Sequence, residues 1–180
     1  AGRSGSATVN YTLGRDNVDS TYDNSPDDAP QNPLDAEAEI GAARTDRPHI
    51  FNGFYVYELP FGRGATSGWR KALLAGWQIA GITRIESGPA ARIRLANCNY
   101  NRGWCFPGNL RPNRVDDPAA GDQSGLAWFD PAALESPPVG EYGTAPVAPV
   151  RLPGRHQWDI AVAKTVELMG DTHLQFRADL

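Results

Sequence analysis

Apolar and polar residues alternate with period two in five segments of the chain. In each the apolar set falls on one face, as a strand with one dry and one wet side requires. Residues 4–13 set Ala7, Val9, Tyr11 and Leu13 against Ser6, Thr8, Asn10 and Thr12. Residues 49–61 set Phe51, Tyr55, Tyr57 and Leu59 against Asn52 and Glu58, with Ile50, Phe54 and Val56 breaking the rule. Residues 76–87 oppose Trp77, Ile79, Thr83 and Ile85 to Gln78, Arg84 and Glu86. Residues 157–168 oppose Trp158, Ile160, Val162, Val166 and Leu168 to Gln157, Asp159, Thr165 and Glu167. Residues 172–180 oppose Leu174, Phe176, Ala178 and Leu180 to His173, Gln175, Arg177 and Asp179. The pattern predicts an all-β chain: an antiparallel sheet of about five strands.

The connections alternate long, short, long, short, at residues 14–48, 62–75, 88–156 and 169–171. Compact soluble domains seldom space their strands so, whereas outer-membrane barrels combine short periplasmic turns with long outside loops. The segments also have the length a tilted strand needs to cross a thin hydrocarbon layer. Trp77 and Trp158 open their segments and Tyr55 and Tyr57 lie within another, as aromatic girdles require. A soluble β-sandwich, binding carbohydrate or a protein partner through its loops, satisfies the same alternation. It differs in one respect: a sandwich covers its apolar face with a second sheet, and a barrel leaves it to lipid.

Composition narrows the function. The 19 glycines and 15 prolines gather between the strand segments, as long loops require. A formal net charge of -4 with no block of Lys and Arg gives phosphate backbones no general attraction, so nucleic acid is not an expected partner. No apolar run reaches the length of a membrane helix; the longest, residues 72–82, is broken by Gln78 and two glycines. The sequence opens Ala-Gly-Arg with no signal-peptide pattern, and reads as a processed chain or a piece of a longer one.

The stretch Asp46-Arg-Pro-His-Ile-Phe-Asn-Gly-Phe-Tyr-Val-Tyr-Glu-Leu-Pro-Phe-Gly62 resembles a recurring strand of large TonB-dependent receptors that carry a carboxypeptidase-regulatory-like domain. Further pieces follow in that family's order. They are Pro30-Gln-Asn-Pro-Leu-Asp35, Gly76-Trp-Gln-Ile-Ala-Gly-Ile82 leading to Ser87-Gly88, Trp128-Phe-Asp-Pro-Ala-Ala133, Pro153-Gly-Arg-His-Gln-Trp-Asp159 and Leu174-Gln-Phe-Arg-Ala-Asp179. The family's usual Leu-Arg-Gly-Pro-Gly is replaced by Val150-Arg-Leu-Pro-Gly154. The resemblance implies a sector of a large barrel in the bacterial outer membrane. A plug domain of the same parent chain fills the lumen, because a barrel of about 22 strands is too wide for its own side chains to fill. In that family an inner-membrane energy-transducing complex pulls on the plug, and the resemblance implies that the parent takes up a small ligand, which the sequence does not name. The partners expected are therefore outer-membrane lipid, the plug, that complex and the ligand. The wet-face residues Arg84, Glu86, Arg177 and Asp179 are the candidate lumen contacts with plug or ligand.

No motif points to catalysis or to a cofactor. His49, His156 and His173 lack zinc-ligand spacing, and no nucleophile elbow or dinucleotide loop occurs. The acidic run 16–28 is rich in oxygen ligands but lacks the glycine and distal glutamate of an EF-hand; a solvated loop has the same composition. Cys98 and Cys105, with six residues between them in the second long connection, are expected to form a disulfide in an oxidising compartment. The chain-entropy model gives the bridge about 2.5 kcal/mol. Unreduced peptide mapping of the parent should find the two cysteines linked, and two freely alkylated thiols in purified outer membranes would refute the bridge.

Overall fold

A computed structural model describes residues 5–19, 30–62, 64, 68–96, 110–121, 124–125, 128–168 and 171–180. Cys98 and Cys105, and residues 20–28 of the acidic run, lie outside them. The chain folds as two compact units, one built from the described residues of 1–12, 49–86 and 155–180, the other from those of 13–48 and 87–154.

The first unit is one antiparallel sheet of β1 (Gly5–Leu13), β4 (His49–Glu58), β5 (Trp77–Glu86), β10 (Arg155–Glu167) and β11 (His173–Asp179), in the order β1-β4-β5-β10-β11. All five expected strands form, with shifted ends. β4 stops at Glu58 instead of running to residue 61: the Leu59 N–H still donates to the Trp77 carbonyl at 2.8 Å, and Pro60 then offers no donor. β10 starts at Arg155, two residues before the alternation becomes visible, because Arg155 and His156 pair with Glu86 and Ile85.

The short connection 62–75 carries an α-helix, α1 (Gly68–Leu74), where the alternation suggests only a turn. Trp-Arg-Lys-Ala-Leu-Leu contains good helix formers, but seven residues are too few to establish a helical period. Two glycines with positive φ bracket the connection, Gly62 at 72° and Gly76 at 76°. A Cβ on Gly62 would lie 2.6 Å from the Ala75 nitrogen, and one on Gly76 would strike the Thr165 carbonyl oxygen. The Trp77 indole N–H closes the helix by donating to the Leu73 carbonyl at 3.0 Å.

The second unit gathers both long connections. Its pairings are β2 (Asn17–Asp19) with β3 (Ile40–Ala42), β6 (Ala90–Ala91) with β9 (Val150–Arg151), and β7 (Asn113–Arg114) with β8 (Leu134–Glu135). It is a packed body, where the sequence suggests plain loops. Ala43, Ala90, Leu110, Ala133, Ala145, Val147 and Val150 are buried in it, as are Pro112 and Pro118. Arg111 Nη1 meets Glu39 Oε2 at 3.0 Å with both side chains under a tenth exposed. Gln31 braces the pair, accepting from the Arg111 backbone N–H at 3.0 Å and donating to the Gly143 carbonyl at 2.8 Å. Burial draws the Arg111 guanidinium below its usual pKa, and Glu39 opposes that by raising it. Asp46, its carboxylate 3% exposed, pairs with Arg151 and accepts the Asp16 N–H at 2.8 Å.

Removing one partner of a buried ion pair strands the other, so Glu39→Ala should cost this unit about 3 to 5 kcal/mol in denaturant unfolding of the parent; a loss under about 1 kcal/mol would mean that water replaces the carboxylate. For Asp46, burial pushes the carboxyl pKa up, but the Arg151 and Asp16 hydrogen bonds prevail and hold it below its usual value. Its contribution is therefore present above the unfolded value of about 3.9 and lost as pH falls through the lower folded one. Hydrogen-exchange protection of the Asp16 and Ala43 amides should decline below about pH 4 in the wild type and depend less on pH in Asp46→Asn. Identical profiles would refute the linkage.

Candidate functional site

In an antiparallel pair, directly opposed residues share a face, so the register sorts the sheet into two sides. One row joins Phe51, Ile85 and His156, and another joins Tyr57, Ile79, Val162 and Ala178. The Tyr11 hydroxyl meets His49 Nδ1 at 2.7 Å, which puts the odd-numbered residues of β1 on this same dry face. Tyr55 lies across Gly81, whose absent Cβ would collide with the phenol oxygen. Among the described residues, little covers this face. Val9, Tyr11, Trp158 and Phe176 are each about 60% exposed, and Ala163, on the opposite face, is the only buried apolar residue of the sheet among the described residues.

The wet face carries all four candidate lumen contacts named from the sequence. Arg84 and Glu86 form an ion pair at 2.8 Å along β5, and Arg177 and Asp179 form one at 2.8 Å along β11. The register separates them into two patches. Arg84 and Glu86 oppose Gln157 and Arg155, while Arg177 and Asp179 oppose Ala163 and Ala161. A third polar run, along β10, was not singled out by the sequence: Arg155 donates to Gln157 Oε1 at 2.7 Å, and Gln157 donates to Asp159 Oδ2 at 3.0 Å. Its signal was present in the alternation of Gln157 and Asp159, but Arg155 fell outside the recognised strand.

Phe54 and Val56, two of the three residues that break the β4 alternation, lie on this wet face with Ala80, Ile82 and Ala161. They floor a shallow hollow of about 460 Å³ edged by Asp159, Arg177 and Asp179. An apolar floor with a charged rim suits a ligand or a protein surface that buries apolar area while its polar groups meet the rim. On its rim Arg177 and Asp179 neutralise each other as an ion pair, while the Asp159 carboxylate accepts from Gln157.

No three His, Cys, Asp or Glu side chains gather as a metal site among the described residues. Asp16, the first acid of the acidic run, accepts from the Thr45 hydroxyl at 2.7 Å. The three histidines stay apart: His49 bonds Tyr11, His156 lies in the row of Ile85, and His173 opposes Glu167.

Neither the curated proteins nor the solved structures contain a match to this chain. A family model described as outer membrane beta barrel domain matches residues 2–180. The match spans nearly the whole sequence and agrees with an antiparallel sheet whose dry face is uncovered, so the chain belongs to the outer membrane beta barrel domain family and to the bacterial outer membrane.

Proposed function

We propose that the chain is a wall sector of a TonB-dependent receptor, whose wet face lines the lumen and meets the plug domain and a small ligand on its way to energy-coupled uptake. The observation that carries this reading is the division of the sheet. Arg84, Glu86, Arg177 and Asp179, with Arg155, Gln157 and Asp159, all stand on one face, and an uncovered apolar face stands on the other. The ordered family resemblance along the sequence supports the energy-coupled part. A β-sandwich would bury Ile79, Ile160, Val162 and Phe176 under a second sheet, and the exposure of Phe176 and Trp158 favours the barrel instead. The role is passage and recognition, with no catalytic step assigned and no cofactor.

Facing and coupling are tested separately in the full-length parent. Arg at a lipid-facing midplane site costs about 2 to 4 kcal/mol, and much less on the lumen side. Val162→Arg should therefore lower the folded, heat-modifiable fraction far more than Ala161→Arg; equal losses would overturn the facing. For coupling, Gln157→Cys in a Cys98→Ser, Cys105→Ser background should react with a membrane-impermeant maleimide in whole cells, at a rate that changes when the inner membrane is de-energised. A rate indifferent to energisation, with facing intact, would leave the barrel and remove the energy-coupled reading.

A further inference from the structure

The short-turn end of the sheet holds an exposed aromatic and aliphatic surface that the transport reading does not use. Trp69 is 68% exposed, Leu73 60%, Leu74 46% and Phe61 57%, all within the connection from β4 to β5. A helix as short as α1 derives little stability from its own hydrogen bonds, so its placement depends on what its sides touch. One side is settled: Gly68, Lys71, Ala72 and Ala75 face a groove against Thr165, Val166, Glu167 and Leu168 at the end of β10. Lys71 Nζ pairs there with Glu167 at 3.2 Å, and Glu167 belongs to the wet face. At about 100° per residue, Trp69 and Leu73 lie roughly 160° around the helix from Lys71 and point away from that groove.

The same turn is tied to the dry face by two bonds. Trp77 and Lys164 oppose each other on that face, and Phe176 completes the row. The Trp77 indole donates to the Leu73 carbonyl, and Lys164 Nζ donates to the Ala75 carbonyl while lying 5.5 Å from the Trp77 ring centre. The exposed side of α1 thus continues the lipid-covered surface at the level where a lysine already finds polar partners. Arg70 stands 5.3 Å from the Trp69 ring centre, placing a cation beside an amphipathic aromatic. Trp and Arg together suit the headgroup region, where one end of a side chain is dry and the other wet.

We propose that α1 is an interfacial helix that docks on glycerophospholipid at the short-turn rim of the barrel. Trp69 and Leu73 enter the boundary between headgroups and acyl chains, and Arg70 meets a lipid phosphate. The apolar insertion and the charge contact act together, as they do for surface-lying amphipathic helices. This inference rests on the membrane-barrel placement and is independent of ligand or energy coupling.

The test uses the full-length parent in phospholipid nanodiscs containing an anionic glycerophospholipid, with Cys98→Ser and Cys105→Ser as background. An environment-sensitive fluorophore is attached in turn at Leu73→Cys, Lys71→Cys and Phe176→Cys, and quenched by lipids doxyl-labelled near the headgroup. The Leu73 probe should be blue-shifted and lose about half its emission, while the Lys71 probe on the opposite side loses little. The Phe176 probe reports the dry face itself. If it is quenched and the Leu73 probe is not, the docking of α1 is overturned alone; if neither is quenched, the facing of the sheet falls too. Quenching that is equal at Leu73 and Lys71 would overturn the assigned roll of the helix. Arg70→Gln should weaken quenching at Leu73 in both anionic and zwitterionic phospholipid nanodiscs, since both headgroups carry a phosphate, and unchanged quenching in both would remove the phosphate contact.

Discussion

Everything in the sheet unit depends on antiparallel register. Because opposed residues share a face, the rows Phe51–Ile85–His156 and Tyr57–Ile79–Val162–Ala178 exist only if β4, β5, β10 and β11 align as they do. A slip of one residue in β10 would carry Val162 and Ile160 to the wet side and bring Asp159 to the dry one. Register therefore fixes which side each charge occupies. It also leaves two obligations that this sheet does not meet by itself: a medium for its apolar face, and neighbours for the outer edges of β1 and β11. Lipid supplies the first in an outer-membrane barrel, and further strands supply the second.

The two units hold together by opposite means. The sheet has almost no interior of its own, whereas the unit formed by the long connections buries small apolar side chains, prolines and the Arg111–Glu39 ion pair, with the Asp46 carboxylate of a second pair. Buried ion pairs are poor sources of net stability, because desolvation offsets much of their attraction. Arg111 and Glu39 make sense as a specific clasp: Gln31 and Gly143 close around them in a way that few other side chains would satisfy. Gly143 and Gly88 allow backbones to approach closely, since a Cβ at either would strike the carbonyl oxygen of Arg111 or Leu152. Extended connections with this much internal bonding present a defined surface, which suits recognition.

The short-turn end shows how few residues build a membrane-facing corner. Gly62 and Gly76 supply the positive φ, Thr165 receives the chain through its N–H to the Gly76 carbonyl, and Lys164 satisfies the Ala75 carbonyl from within the apolar row. A lysine on a dry face is tolerated because its charge reaches a backbone acceptor and an indole face at the end of the strand.

The period-two pattern was enough to locate five strands and the wet-face residues Arg84, Glu86, Arg177 and Asp179, because each strand writes its two environments into adjacent letters. Alternating connection lengths and the ordered family segments pointed to a barrel wall in the outer membrane. Three features stayed hidden for physical reasons. The helix α1 was too short to display a period. Phe54 and Val56 look like noise in a strand until register places them with Ala80 and Ile82 on the wet face, flooring a hollow. The long connections read as loops, because their order comes from contacts such as Arg111 with Glu39, 72 residues apart, and Arg151 with Asp46, 105 apart. Local sequence determines which side of a strand is dry; only the tertiary structure decides which distant charges meet, because that depends on chain crossings that no local pattern encodes.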